Sequence, residues 1–137
     1  FNGFQYFTEG ITGFVGVKDV VKSMVLLMNS NIKNERFILV SENKSFKEIF
    51  FSMAISIGKK PPSIKIKSWH TSIFWRVSWL LSKFTGKEPL LSKSSAKSAH
   101  SISRYSSGKI EKSLNFQFQK IDDVIENISK NHTISHL

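Results

Sequence analysis

One short run limits the fold of this chain more than any other feature. Arg36-Phe-Ile-Leu-Val-Ser41 is a compact apolar stretch rich in branched residues, which reads as a strand buried within a sheet. A buried strand needs neighbours, and few other segments can supply them. Gly13 to Val17 is a short apolar run that reads as a strand or an extended approach to a helix. Ser63 to Lys67 alternates as a half-exposed strand after Pro61 and Pro62 forbid helix. The sum is strand–helix–strand–helix followed by mostly helix. That is an α/β pattern, mostly helical, whose two or three short strands are too few for an independent parallel sheet. The expectation is a portion of something larger.

The helices have local signals. Asp19 stands where it can cap a first helix or occupy its first turn, and Val20, Val21, Met24, Leu27 and Met28 follow as one apolar face. Asn29 to Asn34 is a polar turn. Ser45-Phe-Lys-Glu48 has the capping-box pattern; Ile49, Phe50, Met53, Ala54 and Ile57 follow on one face, and Gly58 sits where a helix stops. Trp69 to Phe84 reads as a third helix, apolar around most of its circumference and ended by Gly86 and Pro89. Ser92 to Ser101 is a short helix or a loop, and Ser107 is placed to cap a helix through Leu114. In the last helix Ile121, Val124, Ile125 and Ile128 form the stripe, with Asp122 and Asp123 near its positive end. Phe1 to Thr12 shows no clear period. Residues 1–130 therefore read as one portion and 131–137 as a frayed tail.

Composition narrows the class. At 137 residues, with 40% apolar and 22% charged residues, the chain is expected to be globular and soluble rather than disordered. No apolar run is long enough to span a bilayer, since His70, Arg76 and Lys83 interrupt the longest. The absence of cysteine is compatible with a reducing compartment, and no signal peptide is visible; the expected location is cytoplasmic. A first residue that is Phe1 rather than Met suggests an upstream portion.

The net charge of +10 is unevenly spread. Residues 59–112 carry 12 Lys/Arg and 2 Asp/Glu, and the rest carries 8 of each, so the whole excess lies in this segment. It reads either as a solvated face or as a module that binds nucleic acid or an anionic membrane. Trp69, Trp75 and Trp79 with Arg76 and Lys83 could form an interfacial basic helix, although tryptophans at such spacing more often belong to a core or a substrate wall.

Three other patterns admit a chemical reading. Gly10, Gly13 and Gly16, followed by helix and strand, have the spacing of a dinucleotide-binding turn, which would make the chain an N-terminal cofactor-binding piece. The preceding residues, Gln5 to Glu9, do not look like a buried first strand. Tyr105 and Lys109 have the spacing of a Tyr-x-x-x-Lys proton-transfer pair, yet Gly108 and two serines between them make a poor helix interior. His132 and His136 could share a helix face, but no third ligand accompanies them, so no metal is expected.

Taken in order, several segments resemble the C-terminal portion of an extended short-chain dehydrogenase/reductase of the NAD-dependent epimerase/dehydratase family, nearest its dihydroflavonol-reductase-like branch. Thr12-Gly-Phe-Val-Gly-Val-Lys-Asp19-Val-Val is similar to the Phe-Val-x-Val-x-Asp-Val signature opening the helix after the substrate loop. Glu35 to Ser41 resembles the late strand that joins the Rossmann sheet, and Ser45 to Pro62 the helix ending in Leu-Gly-Lys-x-Pro. Arg104 to Phe116 resembles the tail signature, with Asn115 where a glycine is usual. The likeness runs from Tyr6 to about Ser129.

The resemblance implies a parent oxidoreductase or isomerase that binds NAD or NADP on an upstream Rossmann half, which also carries the catalytic Tyr/Lys pair. The present chain would then be the substrate-binding portion, without catalytic or cofactor residues, inactive alone and not expected to bind the nucleotide tightly. Its partners would be the missing Rossmann half and a small-molecule substrate, a nucleotide sugar or another anionic or aromatic compound; nucleic acid is not favoured. Tyr6, Thr12, Phe14, Trp69 and Arg104 are the implied substrate-binding residues.

Overall fold

In the computed structural model, described at residues 5–67, 69–70, 73, 76–77, 79–80, 83 and 93–134, a hairpin-like pairing between distant segments organises the chain. Strand β2 (Ile11–Phe14) pairs antiparallel with β3 (Glu42–Ser45), in the register Ile11 opposite Ser45 and Phe14 opposite Glu42. On its other side β2 meets the 99–103 segment: Gly10 and Ile11 donate to the carbonyls of Ala99 and Ser101, and Ser103 donates back to Ile11 (3.2, 2.9 and 2.8 Å). A second small sheet joins β1 (Tyr6–Phe7) in parallel to β4 (Ile64–Lys65). The helices are α1 (Val17–Met28), α2 (Phe46–Ser56), α3 (Lys93–Ser98), α4 (Gly108–Leu114) and α5 (Ile121–Ile134). Described positions between 69 and 83 are helical as well. The class is α/β, with about half of the described residues helical and short strands in two small sheets.

Local chemistry explains the best-defined ends. The Ser45 hydroxyl accepts the Glu48 N–H, and the Glu48 carboxylate accepts the Ser45 N–H at 2.7 Å, so two otherwise unpaired donors are satisfied reciprocally. Gly58, at φ +65, follows α2 in the left-handed region. Asn115 takes the same region after α4 (φ 48, ψ 46), a conformation asparagine tolerates better than other side chains.

The start of α5 is held from far away in sequence. The Asp19 carboxylate accepts the Gln119 N–H (2.8 Å), and the Glu42 carboxylate accepts the Ile121 N–H (2.7 Å). Asp122 then takes Lys44 Nζ at 2.5 Å and Ser52 Oγ at 2.9 Å, which fastens α5 to β3 and α2. One turn from the other end, Ser56 and Ser129 share a hydroxyl–hydroxyl contact of 2.6 Å. Among the described residues the buried apolar side chains are few: Phe7, Val40, Ile49, Pro62, Ile110, Phe116 and Ile121, with Ile110 and Pro62 fully buried.

Several sequence expectations are corrected. The run Arg36 to Ser41 is not a strand: among the described residues no backbone hydrogen bond joins 36–40 to another segment, and only Ser41 reaches across, to the Phe14 carbonyl. A strand is defined by its neighbour, and among the described residues this run has none. The pairing falls instead on the polar Glu42–Ser45. The strand expected at Gly13 to Val17 lies earlier, at Ile11–Phe14, and α1 begins two residues before Asp19. Asp19 lies in the first turn but holds Gln119 instead of capping its own helix. The apolar stripe of α1 is covered only in part. Val20 and Leu27 are half-buried, while Val21 (54%), Met24 (55%) and Met28 (82%) are exposed, as are Val17 and Val25; the buried positions of the helix are Asp19 and Ser23. Finally, α5 continues four residues past Lys130; residues 135–137 lie outside the described residues.

Candidate functional site

Two glycines of the supposed phosphate turn serve close packing. A Cβ on Gly10 would lie 2.6 Å from the Ala99 carbonyl oxygen, and one on Gly13 would lie 2.6 Å from Val40 Cγ2 and 3.1 Å from the Tyr105 ring. Gly10 lets the 99–103 backbone approach β2, and Gly13 makes room for Val40 and Tyr105. Neither opens onto space for a pyrophosphate. The spacing of Gly10, Gly13 and Gly16, which could also be read as a dinucleotide cradle, has a packing explanation in the structure: Gly10 and Gly13 lie close against neighbouring segments along β2, and a Cβ on Gly16 would lie 3.0 Å from Val124.

The Tyr105–Lys109 spacing has a structural explanation too. Tyr105 precedes α4, so the two residues do not share a helix face. Its backbone is clamped on both sides by Asn43, whose Oδ1 accepts the Tyr105 N–H (2.9 Å) and whose Nδ2 donates to the Tyr105 carbonyl (2.8 Å). Lys109 instead pairs with Glu35 at 2.5 Å and lies over the Phe37 ring, 5.1 Å from its centroid. These contacts tie α4 to the segment entering the unpaired run.

The five expected substrate residues occupy different settings. Tyr6 is half exposed on β1, next to Phe7, which is buried edge-on against Phe51. Thr12 and Phe14 alternate with Gly13 along β2; Phe14 meets Phe46 of α2 edge-on at 6.1 Å, so it joins β2 to α2. Trp69 is exposed and stacks on His70 (3.7 Å). Arg104 is exposed beside the clamped Tyr105. Trp75 and His136 lie outside the described residues, and the side chain of His132 does as well. None of the five substrate candidates borders the cavity of about 300 Å³ between α1 and α5, whose walls include Val17, Val124 and Ile128 and whose rim includes Lys18, Gln119 and Asn127.

Electrostatics mark structural positions. Backbone and side-chain hydrogen bonds from Ser45 hold the Glu48 carboxyl below its ordinary range, and Lys44 and then Ser52 do the same to Asp122. A hydrogen bond from Lys65 lowers Glu9, which it meets at 2.5 Å. Among the described residues no group of three or more His, Asp or Glu is placed to hold a metal ion. No helix among them is long and apolar enough to cross a membrane.

What sequence reasoning missed is the open face. The exposed apolar residues of α1 and the backbone of 36–40, unpaired among the described residues and with Ile38 52% exposed, form surfaces of a kind that proteins normally cover. The signal was present in the shortage of strands.

No protein-family model matches the chain, and no curated protein does. Among solved structures, the crystal structure of gox2253 superposes with a TM-score of 0.69 at 24% identity, covering 90% of this chain. That is a likeness of fold. The match takes up 37% of gox2253, so this chain spans little more than a third of that protein's length.

Proposed function

We propose that this chain is the C-terminal, substrate-facing portion of an NAD(P)-dependent extended short-chain dehydrogenase/reductase, an epimerase, dehydratase or dihydroflavonol-reductase-like enzyme. In this reading the Rossmann half, with the nucleotide and the catalytic Tyr/Lys pair, precedes it. The observation that carries the proposal is the open face. A 12-residue helix that leaves Val21, Met24 and Met28 of its apolar stripe exposed leads, through a turn, into an apolar run whose backbone finds no partner among the described residues. A helix followed by a strand is half of a β–α–β unit, in which the helix lies on one face of the sheet that its strand joins. A parallel sheet contributed by another segment would satisfy both needs at once.

The cofactor belongs to the upstream half in this proposal, because Gly10 and Gly13 leave no cradle here. Tyr6, Trp69 and Arg104 keep exposed side chains with which to meet a reactant, and Arg104 offers a planar fork suited to a phosphate or carboxylate. Thr12 and Phe14 support the substrate side from β2. Titration calorimetry tests the reading. The chain alone is expected to bind NADH and NADPH no better than weakly, and the chain joined to a Rossmann half bearing the glycine fingerprint is expected to bind one of them tightly. Tight binding by the chain alone would overturn the assignment.

A further inference from the structure

The helical positions between 69 and 83 present a second face, separate in sequence from α1. With about 3.6 residues per turn, Trp69, Ile73, Val77 and Leu80 fall within roughly 80° of arc over about 16 Å of helix. All four are half exposed or nearly so, and Trp69 is 58% exposed. Arg76 and Lys83 flank this stripe on one side, and Lys83 Nζ lies 4.3 Å from the Trp79 ring centroid. The surrounding sequence has one sign of charge: residues 49–87 contain seven Lys/Arg and no Asp or Glu.

We propose that this face, an apolar tryptophan-bearing stripe with a basic flank, rests on an anionic lipid surface. Charge and side-chain chemistry select that occupant. An apolar protein interface would bury Lys83 at a large desolvation cost, whereas lipid phosphates accept such cations at the edge of the stripe while their stems lie along it. Indole rings favour the headgroup level, where one edge is wet and the other apolar. The negative surface potential draws in the remaining lysines, among them Lys59, Lys60 and Lys67, which are exposed.

The chain carries its own reporter, because its three tryptophans, Trp69, Trp75 and Trp79, all lie in this stretch. The experiment mixes the full chain with phosphatidylcholine vesicles, with and without phosphatidylserine, and follows tryptophan emission and co-sedimentation. Expected is a blue shift with the phosphatidylserine vesicles alone, reversed by added salt. Each basic residue at the surface contributes about fivefold to partitioning, so the Arg76→Gln/Lys83→Gln pair should lower it roughly 25-fold. Salt reversal needs no variant and keeps the test independent of any folding defect in the pair. No shift with either vesicle, equal partitioning onto both, or a shift given by duplex DNA but not by phosphatidylserine would overturn the proposal. Support for the lipid surface would take Trp69 away from the substrate side proposed above, but it leaves the Rossmann-half reading, whose test is nucleotide binding, to be decided separately.

Discussion

Replacing Gly10 by alanine isolates one physical cause. The added methyl would lie 2.6 Å from the Ala99 oxygen, 2.9 Å from the Ala99 carbonyl carbon and 3.0 Å from the Ser101 oxygen. All three are backbone atoms, so no side chain can swing aside. An ordinary contact begins at 3.4 Å, so β2 and the 99–103 segment must part by about 0.8 Å (3.4 minus 2.6). A parting of that size takes the 3.2 Å bond from Gly10 to Ala99 out of range and weakens the 2.9 Å bond from Ile11 to Ser101. Overpacking costs about 1–3 kcal/mol and each lost bond about 1 kcal/mol, so Gly10→Ala should destabilise by about 2–4 kcal/mol. Urea unfolding followed by circular dichroism should show the midpoint falling by roughly 1–2 M at unchanged slope. Gly108→Ala is the control. It lies in α4, where a new Cβ meets nothing closer than Ser106 Oγ at 3.5 Å, and it should raise stability by about 0.5–1 kcal/mol. If Gly10→Ala left the midpoint in place and instead weakened nicotinamide-nucleotide binding, the packing account of this glycine would be refuted.

Two further outcomes follow from the same contacts. Ser45→Ala removes the hydroxyl half of the capping box and should cost about 1 kcal/mol in urea unfolding, whereas Ser45→Asp should restore most of it. The pH dependence has a defined sign: the carboxyls of Glu48 and Asp122 are depressed in the folded chain, so the stability they contribute is present above their ordinary range and lost as pH falls through their folded values. Thermal midpoints should therefore drop in acid below about pH 4.5, and the Asp122→Asn chain should show a smaller drop over that range.

The sequence was legible where the cause of structure is local. The Ser45–Glu48 box depends on residues three apart, and the stop at Gly58 on one dihedral, so both could be read without knowing the fold. It was illegible where the cause is distant. β1 is two residues long and exists because Ile64 and Lys65 lie beside it. β3 is Glu-Asn-Lys-Ser, polar throughout, and no hydrophobic period announces it. The period of α1 marks an apolar stripe but not how much of it the chain covers: Val20 and Leu27 are half-buried, and Val21, Met24 and Met28 are left exposed. The run 36–41 was read for its composition, which favours a strand, yet strand pairing needs a neighbour that the described residues do not contain. At the candidate site, the glycine spacing and the Tyr105–Lys109 spacing each had a chemical meaning in sequence, and each is accounted for by a packing or clamping contact.

Hydrogen exchange at the amides of residues 36–40 tests the open-face account most directly. The account predicts rapid exchange there in the chain alone, while the ladder amides of β2 and β3 stay protected, and marked slowing at 36–40 once a Rossmann half is joined to the chain. Strong protection of 36–40 in the chain by itself, or no change on joining, would contradict it.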